Sequence, residues 1–104
     1  MSSATSSKYA RALAEVAVES NQEVRVQKEL AELAELLASH KELSDTLTNP
    51  AIPFAAKRKI VEEVGRKASL EQMTVNFVLV LLEHAQIDQF EEVVEAYDDV
   101  LDEF

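Results

Sequence analysis

From Met73 to Leu82 the chain offers water almost nothing: only Thr74 and Asn76 are polar in Met-Thr-Val-Asn-Phe-Val-Leu-Val-Leu-Leu. A bilayer-spanning helix needs about 20 apolar residues, twice what this run supplies, so direct membrane insertion is not expected. A helix apolar nearly all round must instead be covered on nearly every side. Two arrangements satisfy that demand. The segment can run through the middle of a bundle, enclosed by its own neighbours. Alternatively, part of it lies in an apolar surface groove that receives another helix, a common mode of recognition. A chain of 104 residues divided into short helices leaves little material for a complete jacket. Composition alone leaves both arrangements open.

The rest of the chain reads as helix separated by punctuation rather than by linkers. One glycine and two prolines among 47% hydrophobic residues exclude a turn-rich β protein and a disordered tail. The opening Met1-Ser-Ser-Ala-Thr-Ser-Ser7 is polar and reads as a flexible N-terminus over residues 1–6, with no signal-peptide pattern. From about Ser7, Tyr9, Leu13, Val16 and Ala17 recur at helical spacing. Ser20 with Glu23 and Ser39 with Glu42 fit capping boxes that would open a second and a third helix. Asn49-Pro-Ala-Ile-Pro53 breaks the pattern, and Pro53 suits the first position of a fourth helix. Gly65 is the only glycine and is expected to end that helix as its C-cap. Ser69 with Gln72 and Asp88 with Glu91 would open the fifth and sixth. The expectation is an all-α, six-helix bundle forming a single domain over residues 7–104. A chain of this length buries about 65% of its unfolded surface, enough for one core.

Charge is unevenly spread. Residues 1–67 hold all ten Lys and Arg and ten of the twenty acids, whereas residues 68–104 hold ten acids and no base. The net −10 therefore resides in the last third, where it repels phosphate backbones and anionic lipid. Nucleic acid is not an expected partner. In the sixth segment the acids Glu91, Glu92, Glu95, Asp98, Asp99, Asp102 and Glu103 alternate with an apolar stripe from Phe90 to Phe104, the pattern of a helix packed on one side. A convex helix face spreads carboxylates apart, so a solvated surface is expected rather than a cation site.

Chemistry finds little support. With no cysteine, thiol catalysis and cysteine-based metal sites are excluded. His40 and His84 belong to no His-Glu-x-x-His pair, and neither has a glutamate three residues before it. His40 reads as a solvated cap residue, and His84 as a group interacting with the last carbonyls of the fifth helix. No serine is flanked by nucleophile-elbow glycines. Lys57-Arg58-Lys59 is too short for a nucleic-acid patch and reads as solvent-facing. No cofactor, metal or catalytic residue is assigned.

Several motifs resemble one family. Tyr9-Ala-Arg-Ala-Leu-Ala-Glu-Val-Ala17 is similar to the opening helix of ATP synthase delta/OSCP subunits. Thr48-Asn-Pro-Ala-Ile-Pro53 followed by Lys57-Arg58 resembles the family's break before its fourth helix. Asn76-Phe77 with Leu81-Leu82-Glu83 resembles its fifth helix, and Ile87 through Leu101 its sixth. The resemblance implies a non-catalytic stator domain on top of F1 that binds the N-terminal amphipathic helix of an alpha subunit between its first and fifth helices. That contact helps the peripheral stalk resist rotor torque while ion flow drives ATP synthesis. Carried over by position, Tyr9, Ala12, Leu13 and Val16 would face the groove from the first helix. Asn76, Phe77, Val80, Leu81 and His84 would face it from the fifth. The b subunit would be met only through a C-terminal domain lying beyond Phe104. The location implied is peripheral, on the cytoplasmic face of a bacterial plasma membrane or on an organellar membrane. Where the family often has Asn-Gly-Arg-Leu, this chain has His84-Ala85-Gln86-Ile87, so the turn must be made without glycine. The alternative is an unrelated bundle that self-associates through its fifth helix.

Overall fold

A computed structural model describes residues 3–104. Six α-helices follow in order: α1 Ala4–Glu19, α2 Glu23–Ser39, α3 Lys41–Thr48, α4 Phe54–Lys67, α5 Gln72–Glu83 and α6 Phe90–Leu101. A 3-10 turn, Ile87–Gln89, leads into α6, and no strand occurs among the described residues. α6 is the central packing element, set against α1 and α2, while α4 packs on α5. The radius of gyration, 12.9 Å, matches the value of about 13 Å expected for one folded body of this length.

Small side chains let the first layer close. α1 buries Ala10, Ala14 and Ala17 completely, with Leu13 beside them. From α6, Phe90, Val93, Ala96, Tyr97 and Val100 enter the same core, joined by Val26 and Leu30 of α2. Tyr97 is wholly enclosed, and its hydroxyl donates to the Glu23 carbonyl at 2.8 Å, which ties α6 to the start of α2. Burial pushes its phenol pKa up to about 12, helped by the Glu23 and Asp98 carboxylates. Part of the acidic side of α6 is also engaged. Glu92 accepts from the Ser3 amide at 2.7 Å, Asp98 from Gln27 at 2.9 Å, and Glu103 pairs with Arg11 at 3.0 Å. Phe104 stays exposed at the end of the stripe.

The helix boundaries differ from the sequence reading in instructive ways. α1 begins at Ala4, with Ser3 capping the Ser6 amide through its hydroxyl at 3.1 Å, and Ser6 is buried. Of the stretch expected to be flexible, residues 4–6 are thus helical, while residues 1 and 2 lie outside the described residues. None of the four expected side-chain caps forms. Ser20 ends α1, the Ser39 hydroxyl donates back to the Glu35 carbonyl at 2.8 Å, and α2, α5 and α6 start without a side-chain cap from their own N-cap residue. His40 joins α2 directly to α3. Short connections are closed by backbone instead. Asn21, Ser69 and Ala85 take left-handed φ values of 58°, 54° and 53°, and the residue after each donates to a carbonyl five positions back. These are the closing bonds of Schellman C-caps.

Gly65 does not cap α4. It lies buried inside that helix, which continues to Lys67. A Cβ there would stand 2.6 Å from Cγ2 of Val75 on α5, so the missing side chain is what lets the two helices approach. Pro53 occupies the N-cap itself, one residue before the expected position. The preceding break is held by the Asn49 side chain, which accepts the Ala51 amide at 2.9 Å.

Candidate functional site

With its alanine stripe committed to α6, α1 turns Tyr9, Ala12, Leu13 and Val16 toward α5. Val75, Val78, Leu81 and Leu82 take α5 into the core, and Met73, Asn76, Phe77 and Val80 remain on the side toward α1. The two helices pack mainly on other partners and only lightly on each other. Between them runs an open groove of about 510 Å³ lined by these eight residues, four from each helix.

The groove has an apolar floor and projecting walls. Leu13 and Phe77 form the floor and are almost fully covered. Val16 and Val80 stand 48% and 38% exposed, two of the five large apolar side chains left in water among the described residues. Ala12 lowers one wall, so a visiting backbone can come close. Tyr9 and His84 bring their rings to 6.2 Å at an angle of 43° and bridge α1 to the C-terminal end of α5. Asn76 accepts from Gln72 at 2.8 Å along the outer edge. Among the described residues no charged side chain lines the groove. Apolar surface in this shape can be covered by a helix.

Seven of the nine residues carried over from the resemblance line this groove: Tyr9, Ala12, Leu13, Val16, Asn76, Phe77 and Val80. His84 caps α5 and stacks at the groove's end rather than lining it. Leu81 does not face the groove. It is completely buried, because it lies about 100° further round the helix than Val80. A helix apolar on every side gives no local signal for which leucine points inward. Met73 was missed although its spacing to Asn76, Phe77 and Val80, at i+3, i+4 and i+7, places it on the same stripe.

A second feature escaped the sequence reading: the clamp that holds α5 in position. Glu29, buried on α2, accepts the Thr74 hydroxyl at 2.6 Å and the Glu71 amide at 3.1 Å. It thereby supplies the cap that α5 lacks in its own sequence. Arg25 donates to Glu29 at 3.2 Å and to the Ser69 carbonyl at 3.2 Å, and pairs with Glu71. Thr74, a polar residue in an apolar run, was the available hint. Its partner could not be found from sequence because a glutamate on an amphipathic helix reads as solvated. Among the described residues no group of three metal-ligating side chains converges.

The family model for the ATP synthase delta (OSCP) subunit matches residues 5–104. The chain belongs to that family. It is 33% identical over 97 residues to the ATP synthase subunit delta of Alkaliphilus metalliredigens, covering 93% of this chain and 53% of that protein. With the Geobacter metallireducens subunit delta it shares 32% over 103 residues, 99% of this chain and 57% of that one. The chloroplastic delta chain of Chlamydomonas reinhardtii is 27% identical over 95 residues, 91% of this chain and 43% of its own. The chain thus spans about half the length of the curated relatives it matches. Among solved structures, a chain in the cryo-electron microscopy structure of the Polytomella F-ATP synthase superposes with a TM-score of 0.85 at 29% identity. The match covers 97% of this chain and 89% of that one. The six-helix architecture is therefore the family's, and delta/OSCP subunits are structural parts of the ATP synthase rather than catalytic ones.

Proposed function

We propose that this chain is the non-catalytic stator domain that seats the N-terminal amphipathic helix of an alpha subunit in the groove between α1 and α5. The observation that carries the reading is the groove itself: an apolar channel lined equally by two helices, with valines held in water on both walls. Covering apolar surface stabilises a complex by about 25 cal/mol per Å² removed from water. A rigid groove also avoids the ordering cost of forming one on binding. Seated there, the domain sits on the catalytic head and joins it to the peripheral stalk of a membrane-associated complex. Contacts with the b subunit belong to the part of the relatives' length that this chain does not span. The complex would then lie on the cytoplasmic side of a bacterial plasma membrane or on an organellar membrane, a reading supported by the bacterial and chloroplastic delta subunits among the relatives.

Calorimetric titration with a peptide from an alpha-subunit N-terminus, against a scrambled control, tests the reading. The expected result is one-to-one binding of the true sequence alone, with a negative heat-capacity change from apolar burial. No binding at high micromolar peptide to a folded sample would overturn it. A mass that rises with concentration in the absence of peptide would point instead to self-association through α5.

A further inference from the structure

The groove's rim is charged unevenly along its length, and that asymmetry specifies the occupant further. Resting on the reading above, we propose that the helix bound here carries basic side chains at the end lying beside Val16, where they meet Glu15 and Glu19. On α1, Glu15 is three residues beyond Ala12, and Glu19 is three beyond Val16. Both are exposed and lie on the solvent side of the groove-facing stripe, opposite the buried Ala10, Ala14 and Ala17. α1 and α5 run antiparallel across the groove, because Tyr9 meets His84 at one end. At that end Lys8 on α1 and Glu83 on α5, three residues past Val80, are exposed with opposite charges. The far end carries Glu15 and Glu19 on the α1 rim. Glu71, the residue before α5, is already paired with Arg25, and Arg11 is engaged by Glu103. Among the described residues neither Glu15 nor Glu19 has an ion-pair or side-chain hydrogen-bond partner, so both are available to a bound helix.

The groove lining from Tyr9 to Val16 covers two helical turns, about 10 Å. An occupant reaches it with apolar anchors at i, i+3 or i+4, and i+7. Its charged flank then falls against one rim or the other. A basic flank over Glu15 and Glu19 is attracted, and an acidic one is repelled, both by the rim and by the chain's net −10. The net −10 of the chain also disfavours a second copy as occupant.

The test compares wild type with an E15K/E19K double variant in calorimetric titrations with the alpha-subunit N-terminal peptide, at low and at high salt. An E91K/E95K variant on the outer face of α6 changes net charge by the same amount far from the groove and serves as control. Both variants alter exposed i,i+4 charge pairs whose interaction is weak, so both are expected to stay folded, which thermal melts run beside the titrations check. The expected result is about a tenfold loss of affinity for E15K/E19K at low salt, shrinking at high salt, with E91K/E95K close to wild type. Equal binding by all three, or an equal loss in both variants, would overturn the charge assignment while leaving the groove reading intact. Failure of the wild type to bind the peptide at all would overturn both.

Discussion

Val80 stands at the mouth of the groove, partly in water before any partner arrives. An aspartate there is solvated in the free domain and becomes an unpaired, desolvated charge once a helix covers it. Val80→Asp is therefore expected to weaken peptide binding by about 2–4 kcal/mol in calorimetry. Its thermal midpoint should stay near wild type; loss of cooperative unfolding would make Val80 a core residue instead. Tyr97 makes a prediction of the opposite kind, about stability alone. Its folded pKa, pushed up to about 12, lies above the value of about 10 for an exposed tyrosine, so folding favours the protonated phenol. That contribution is fully present below pH 10 and is lost as pH rises through 12. Denaturant midpoints followed from pH 8 to pH 12 should fall more steeply for wild type than for Tyr97→Phe. Parallel curves would mean the phenol does not carry the dependence. At neutral pH the Phe variant should be weaker by about 1 kcal/mol, the worth of the bond to the Glu23 carbonyl.

At the scale of the helices, two positions decide how α5 is placed. Gly65 lets α4 and α5 meet where a Cβ would collide with the stiff, branched Val75. Gly65→Ala is expected to cost about 1–3 kcal/mol by overpacking, against about 1 kcal/mol regained from helix propensity. A net rise in thermal midpoint would show that Val75 yields without strain. The other end of α5 turns through Ala85 in a left-handed conformation that glycine adopts without steric penalty. Ala85→Gly should stabilise by roughly 0.5–1 kcal/mol, the left-handed strain outweighing the extra chain entropy. Unchanged or lowered stability would mean the strain is relieved elsewhere. These two sites also mark where sequence reasoning reached its limit. Helical periodicity and the Asn49–Pro53 break located all six helices, because both signals are local. The single glycine was read as a cap because its use, a close approach to Val75, involves a residue ten positions away. The turns were misread for a related reason. Ser20 and Ser69 carry capping chemistry, but their connections are short enough to be closed by left-handed backbone, and Ser39 lies in the last turn of α2, which leaves none of the three a helix start to cap.

For the whole molecule, the groove follows from how two helices divide their faces. α1 spends its alanine side on α6, α5 packs on the core and on α4, and no described element fills the angle between them. The apolar run from Met73 to Leu82 made such a surface conceivable, and the family resemblance named most of its lining. Leu81 lies in the core rather than on the groove, which a uniformly apolar helix does not reveal in its sequence, and the Glu29 clamp is not legible there because it depends on a contact across 45 residues. The measurement that bears most directly on the central claim is backbone NMR of the labelled chain with and without the alpha-subunit peptide. The account predicts shift changes concentrated on Ala12, Val16, Met73, Asn76 and Val80, with His84 moving at the groove's end. Changes centred on α2, α3 or the outer face of α6, with the α1 and α5 signals still, would contradict it.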